Sequence, residues 1–97
     1  MDTKHPGAVL YDEFLYPLGL PVRYAAKELE IAYTTLNDLV RCRKGISPQM
    51  ALRLERFLGE PAEYWMTLHN QYFLEQAARR SDIQQALKTI VPLGEAT

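Results

Sequence analysis

Cysteine, long apolar runs and strand signals are what this 97-residue sequence has least of. Its single cysteine, Cys42, has no partner for an internal disulfide, which fits a reducing compartment. No apolar run approaches the roughly 18 residues needed to cross a bilayer, and the first residues lack the apolar stretch of a signal peptide. These absences argue against a disulfide-stapled or membrane-spanning protein and predict a cytoplasmic location.

Catalytic and metal-binding patterns are also missing. The two histidines, His5 and His69, are far apart in the sequence, and neither a cysteine pair nor a His-Glu motif accompanies them. The sequence contains no phosphate-cradling glycine-rich loop and no nucleophile elbow. His69, which precedes two other polar residues, is interpreted as part of the polar side of an amphipathic helix. We therefore expect no enzyme activity, no cofactor and no metal site.

Apolar and polar residues do not alternate over any sustained stretch, and hairpin dipeptides such as Asn-Gly do not occur, so no strands are predicted. Prolines and glycines instead separate segments of helical periodicity. The first predicted helix runs near 8–16, the second starts at Pro21, and the third spans about 33–42. The fourth is capped by Ser47 and ends at Gly59, and the fifth begins at Pro61. Ser81 and Gln84 have capping-box spacing ahead of a last short helix. The predicted fold class is all-α, with five to six helices.

The net charge of −1 is unusual for a nucleic-acid binder, but the charges are unevenly distributed. Residues 21–45 sum to +2, whereas residues 1–20 sum to −2. A positive segment of this size favours modest contact with phosphates, and a dimer would be needed to build affinity.

Residues 22–41 fit the pattern of a helix-turn-helix. Two short helices joined by a tight turn need a small residue where they cross and apolar residues along their seam. With Val22 as the first residue, Ala26 is the small fifth residue, and the seam offsets hold Ala25, Leu29, Ile31, Leu36 and Leu39. Glu30 stands at the turn site where glycine is common, because the backbone there often takes a positive φ. That conformation costs another residue roughly 1 kcal/mol.

Several stretches resemble the HigA (VapI-like) antitoxins: His5-Pro6-Gly7, 14–20, 26–29, 44–54 and 65–72. The most specific is Gly-Ile-Ser-Pro-x-Met-Ala-x-Arg-Leu from Gly45, together with the tryptophan segment that follows. The resemblance implies a phage-repressor-like, XRE-type domain that dimerises and represses an operon also encoding a HigB-type ribonuclease toxin. The sequence departs from the family at Ala32, where a polar cap usually begins the recognition helix, and at Arg41-Cys42, where Asn-Gly commonly follows it.

In such folds the outward face near the start of the third helix meets base edges, while cations at the helix end meet phosphates. Asn37 can make a bidentate contact with adenine, and Thr34 can place its methyl group against that of thymine. Tyr33 is expected to bond a phosphate or pack on sugar, and Asp38 to accept from a cytosine amino group or to pair with Arg41. The predicted DNA-binding residues are Arg23, Tyr33, Thr34, Asn37, Asp38, Arg41, Arg43 and Lys44.

The predicted partners are double-stranded DNA with a palindromic operator, a HigB-type ribonuclease toxin and a second copy of the chain. A dimer is expected because one helix-turn-helix makes few contacts, and its interface is placed on the apolar stripe Ile83, Leu87 and Ile90. Asp12 and Glu13 on the first helix have the charge expected of a patch that attracts a basic toxin. Their plainer interpretation is a solvated surface.

The chain is predicted to form a single helix-turn-helix domain over residues 1–97. Its core covers about 5–80, and a C-terminal helix at about 81–91 is available for dimerisation. Two alternative functions stay open on the sequence: a solitary helix-turn-helix regulator without a toxin partner, and a toxin-masking interaction module with weak DNA binding. The product of a neighbouring gene would separate them.

Overall fold

The computed structural model describes residues 3–95, which form six α-helices and no strand. These are α1 (Pro6–Leu10), continued by a π-helical turn (Tyr11–Leu15), α2 (Val22–Leu29), α3 (Tyr33–Val40), α4 (Pro48–Leu58), α5 (Ala62–Arg79) and α6 (Ser81–Thr89); a 3-10 turn (Leu93–Glu95) follows. The all-α prediction is confirmed. None of the helices in this described part is long and apolar enough to span a membrane.

The first helix begins two residues earlier than the sequence predicts. Pro6, whose missing N–H is harmless at a first helical position, opens α1. His5 caps the helix because its Nδ1 accepts the N–H of Gly7 at 2.8 Å. The π-helical turn that follows is closed by the Tyr16 N–H, which donates to the carbonyl of Tyr11 at 2.8 Å.

The boundaries predicted for α4 are confirmed. The hydroxyl of Ser47 accepts the N–H of Met50 at 3.1 Å, and Pro48 is the first helical residue. Gly59 ends the helix with a φ of 91°, in the left-handed region that glycine enters without steric cost.

The capping box predicted for α6 is wrong. Arg80 is the single residue between α5 and α6 and takes the extended conformation of an N-cap, so Ser81 is already helical. The carboxylate of Asp82 accepts the N–H of Ile83 at 2.9 Å and pairs with Arg80 at 2.7 Å. Gln84 donates its side-chain amide to the carbonyl of Ala78 instead of reaching back to a cap.

The core lies between α1, α2, α3, α4 and the first half of α5. Trp65 of α5 is fully buried at its centre, with its ring 5.0 Å from that of Phe14. The other core side chains are Leu10, Leu15, Ala25, Ala26, Leu29, Leu36, Leu39, Ile46, Met50, Ala51 and Leu54. Burial of this apolar surface stabilises the fold, at roughly 25 cal/mol per Å².

The α1–α3 contact is close because Gly7 has no side chain. A Cβ at Gly7 would overlap the carbonyl oxygen of Leu39 near the end of α3. The last helix, α6, packs against the end of α5, and the described chain is 57 Å long but only 24 Å wide.

Candidate nucleic-acid interface

The helix-turn-helix register predicted from the sequence is confirmed. Ala26 is buried at the crossing of α2 and α3, and the seam residues Ala25, Leu29, Leu36 and Leu39 are each at most 3% exposed. Val22 and Ile31 are partly buried against the same core. With this face of both helices used for packing, the opposite face of α3 is left towards solvent.

The turn between the two helices contains the positive φ that was predicted at Glu30. Glu30 has φ 58° and ψ 45°, and the Ile31 N–H donates to the carbonyl of Ala26 at 3.0 Å. A contact that the sequence did not reveal supports this turn. The guanidinium of Arg53, from α4, donates to the carbonyl of Leu29 at 2.7 Å.

The start of α3 lacks a side-chain cap, as expected from Ala32. Ala32 is the N-cap in an extended conformation, and no side chain accepts from the first turn. Backbone N–H groups at a helix start that have no internal partner are available to an anion or to water.

The predicted DNA-binding residues of α3 lie on its outer face, but they differ in solvent exposure. Thr34 and Arg41 are exposed, whereas Tyr33, Asn37 and Asp38 are partly buried. Asn37 and Arg41 line the same hollow, of about 320 Å³, together with Tyr11, Val22 and Val40. The structure therefore brings a base-reading candidate and a phosphate-binding candidate side by side.

Arg23 and Tyr33 come from different helices and are stacked. The guanidinium carbon of Arg23, in the first turn of α2, lies 4.1 Å from the centroid of the Tyr33 ring. A cation over an aromatic face is attracted by the ring's quadrupole, so the contact restrains the arginine.

Asp38 pairs with Arg43 and not with Arg41 as the sequence suggested. The Arg43 Nη1 and Asp38 Oδ1 atoms are 3.7 Å apart, and the Arg43 N–H donates to the Asp38 carbonyl at 2.8 Å. The reason is backbone geometry: Cys42 has φ 63°, which turns the chain back over the end of α3. The Arg43 and Asp38 side chains are 63% and 45% exposed, so water screens the pair and it is a weak one.

The loop after α3, residues 41–47, carries the remaining predicted cations, and Arg41, Arg43 and Lys44 are all exposed. Its far end is anchored on α5, where Nδ1 of His69 accepts the Ile46 N–H at 2.9 Å. Sequence reasoning placed His69 on a plain polar face and missed this role. No local pattern signals a bond between residues 23 positions apart.

The fold also brings together the two histidines that are distant in sequence. The ring centroid of Phe73 is 4.7 Å from that of His69 and 5.6 Å from that of His5. Burial, and then the charge of nearby His69, lower the pKa of His5. Among residues 3–95 no group of three potential metal ligands exists.

The apolar stripe predicted for dimerisation lies at the free end of the molecule. Ile83 is partly buried, while Leu87 and Ile90 are 58% and 64% exposed. Leu74 on α5 and Leu93 beyond α6 are exposed as well. In the amino-terminal segment, Lys4 lies 2.9 Å from Asp12 and 3.8 Å from Glu13, so the acidic patch of the first helix is partly neutralised.

Comparison with known proteins places this architecture in a family. No family model matches the chain. The chain is 36% identical over 93 residues to virulence-associated protein I of Dichelobacter nodosus, an alignment covering 96% of this chain and 83% of the relative. The antitoxin HigA of Pseudomonas aeruginosa, solved with the higBA promoter, superposes with a TM-score of 0.87 at 37% identity, over 94% of this chain and 98% of that one.

A third relative is an addiction module antidote protein of the HigA family from Coxiella burnetii. It superposes with a TM-score of 0.85 at 27% identity, over 95% of this chain and 99% of that one. These relatives are antitoxins and a virulence-associated protein and not enzymes. The helix-turn-helix is confirmed, and each of the two structural relatives matches this chain over almost the full length of both proteins. The protein therefore belongs to the HigA (VapI-like) family of helix-turn-helix antitoxins.

Proposed function

We propose that the protein binds the operator of its own operon as a dimer, represses that operon and neutralises a HigB-type ribonuclease toxin. The observation that carries the proposal is the solvent-facing side of α3, bordered by the exposed cations of the 41–47 loop. DNA as the ligand of this surface is supported by a relative, the P. aeruginosa HigA, which was solved with promoter DNA. Action on an operator places the protein in the cytoplasm and requires no catalytic group or cofactor.

Within this proposal the side chains divide into base readers and phosphate binders. Asn37 bonds an adenine edge, and Thr34 places its methyl group against thymine. Phosphates are bound by Arg23, Arg41, Arg43 and Lys44, with Tyr33 beside the sugar-phosphate backbone and Asp38 either accepting from cytosine or holding Arg43.

The experiment that tests the DNA face compares two kinds of variant on randomised DNA sites. We expect Asn37→Ala to relax base preference at one position per half-site, at about 1–3 kcal/mol per contact. Arg43→Ala and Lys44→Ala should weaken binding to all sequences and flatten its salt dependence. Arg56→Ala, which removes an exposed cation of α4, is the matched control. Unchanged operator selection by Asn37→Ala would show that the reading face has been misplaced.

The domain organisation that we propose assigns residues 1–97 to one helix-turn-helix domain, with its core at about 5–80 and its dimer contacts at about 81–91. Ile83, Leu87 and Ile90 supply the contact, because the exposed apolar surface of α6 projects beyond the core. A two-fold dimer would present two α3 helices to a palindromic operator.

Toxin neutralisation is tested by co-expressing the neighbouring small gene product with the wild type and with an Asn37→Ala, Arg43→Ala double variant. Rescue of growth by both would show that neutralisation does not use the DNA-binding face. If neither rescues growth and no complex co-purifies, the solitary-regulator alternative replaces the antitoxin function. If both neutralise but the wild type fails to select an operator, the protein is instead a toxin-masking module.

A further inference from the structure

The 41–47 loop is held at its far end by aromatic and imidazole rings of α5. Nδ1 of His69 accepts the Ile46 N–H at 2.9 Å, while the Ile46 side chain is buried in the core. A Cβ at Gly45 would overlap the His69 imidazole and lie 2.8 Å from Cε2 of Phe73, so the loop backbone lies directly on these two rings.

The chemistry of that bond depends on protonation. An imidazole nitrogen accepts a hydrogen bond only when it carries no proton, and an imidazolium is a donor at both nitrogens. Protonated His69 would therefore face the Ile46 N–H with a second N–H, and the bond would be replaced by repulsion. Among the described residues no other group accepts that N–H, so loss of the bond leaves the Gly45–Ile46 backbone held by packing alone.

We propose that His69 is a positioning residue for operator binding. Arg41 and Arg43 are also held by backbone bonds to α3, and the neutral imidazole fixes the far end of the loop, next to Lys44. Protonation of His69 releases that end of the loop and weakens DNA binding. The proposal rests on the proposed function, since it concerns how the same surface is held in place. A released loop must be ordered again on each binding event, and the entropy of that ordering opposes association.

Few titratable groups face His69 in the described structure. His5 of the amino-terminal segment faces it across Phe73, and Tyr72 is the other titratable group of α5 in this cluster. From the loop, Lys44 directly precedes Gly45 and is exposed. His5 uses its own Nδ1 to cap α1, and its burial disfavours the charged form, so it opposes protonation in the cluster.

Protonation of His69 is expected to change DNA affinity in the direction opposite to that predicted from its added positive charge. Added positive charge on a DNA-binding protein normally strengthens its binding to phosphates. A positioning role for neutral His69 predicts that binding weakens as the pH falls, so the sign of the pH dependence distinguishes the two effects.

The test measures operator affinity from about pH 8 to about pH 5, the range in which imidazoles titrate. His69→Asn places an acceptor oxygen where Nδ1 lies and cannot be protonated there. We expect it to bind like the wild type at pH 8 and to resist acid, whereas the wild type weakens about fivefold, the effect of one lost hydrogen bond. His69→Leu, which has no acceptor, should bind about fivefold more weakly already at pH 8.

A readout without DNA separates this proposal from the proposed function. In the free protein, the NMR amide resonance of Ile46 should move with pH in the wild type and stay fixed in His69→Asn. If the resonance behaves in this way but no operator is bound at any pH, the proposed function fails while the loop contact stands. Two outcomes would overturn the assignment to His69. One is that His69→Asn loses affinity in acid as the wild type does, and the other is that His5→Asn, and not His69→Asn, abolishes the acid loss.

Discussion

The guanidinium of Arg23 lies 4.1 Å from the ring centroid of Tyr33, so the first turn of α2 and the first residue of α3 are joined at the proposed DNA-facing surface. Arg23 is otherwise an exposed side chain with many rotamers. The ring beneath it restricts those rotamers, which would reduce the entropy lost in the proposed contact of the arginine with a phosphate.

Removal of the Tyr33 ring should therefore weaken binding to DNA of every sequence. We expect Tyr33→Ala to reduce affinity by about two- to fivefold, the magnitude of an exposed cation–π contact. Tyr33→Phe keeps the aromatic face and should retain most of the affinity. The measurement is a double-mutant cycle with Arg23→Ala; additive losses would mean that the stack contributes nothing to binding.

The two non-glycine residues with positive φ, Glu30 at 58° and Cys42 at 63°, offer stabilising substitutions. Glu30→Gly and Cys42→Gly should each raise the free energy of unfolding by roughly 1 kcal/mol, because glycine adopts this region without strain. Urea denaturation measures the change. Glu28→Gly, which places glycine inside α2, is the control and should destabilise by about 1 kcal/mol. A loss of stability on Glu30→Gly would show that the turn is not strained.

Gly7 should tolerate no side chain. Its Cβ would meet the carbonyl oxygen of Leu39, so Gly7→Ala must push α1 and α3 apart. We expect a loss of about 1–3 kcal/mol or more in the free energy of unfolding, typical of overpacked sites. Gly94→Ala is the control, since nothing lies within 4 Å of a Cβ at that position. Equal stability of the two variants would contradict the close α1–α3 contact.

The stability of the fold should decrease in mild acid because of His5. Its pKa is lowered from the ordinary 6.5, first by burial, so below that pH the unfolded chain binds a proton that the folded chain resists. The stabilisation is present above pH 6.5 and is lost as the pH falls further. Urea midpoints at about pH 7.5 and about pH 5.5 would show it as a larger drop in the wild type than in His5→Asn, which keeps a capping oxygen.

The two carboxylates with lowered pKa values do not contribute to the difference in urea midpoint between about pH 7.5 and about pH 5.5. The pKa of Glu75 is lowered from 4.5 by hydrogen bonds from Thr3, and Asp82 has its pKa lowered from 3.8 by Arg80. Their contributions are present above those values and are lost in stronger acid. An equal drop in the wild type and in His5→Asn would assign the acid sensitivity to another group.

An acidic residue on α6 should separate the proposed dimer. Leu87→Asp places a charge in the proposed contact and should give a monomer in analytical ultracentrifugation at tens of micromolar, with an unchanged helical CD spectrum. Leu52→Asp is a closely matched control, because Leu52 on α4 is 59% exposed and Leu87 58%. A wild type that sediments as a monomer would exclude the dimer altogether.

Several local features of this fold could be predicted from the sequence, whereas contacts between residues distant in the sequence could not. The crossing at Ala26, the positive φ at Glu30 and the cap at Ser47 each depend on a few neighbouring residues. The bonds from Arg53 to Leu29 and from Ile46 to His69 join residues 24 and 23 positions apart. They depend on how α4 and α5 pack, which no periodicity specifies.

Two of the wrong expectations, the α6 capping box and the Asp38–Arg41 pair, have the same origin in backbone geometry. Ser81 resembled a cap, but only Arg80 separates α5 from α6, so the extended corner falls one residue earlier. Asp38 is one turn from Arg41 on a helix, yet the positive φ of Cys42 returns Arg43 to it. The DNA-reading roles of Asn37 and Thr34 stay predictions, because they depend on a partner.

The packing of α6 mainly against α5 has a consequence for how the protein opens. Elements with few buried contacts unfold locally, without disruption of the core. In the monomer, the amide hydrogens of α6 should therefore exchange with solvent far faster than those of α3 or α4. A second copy packed on Leu87 and Ile90 would slow that exchange, so protection of α6 amides measures association residue by residue. The fraction of molecules in which α6 is folded therefore depends on the protein concentration.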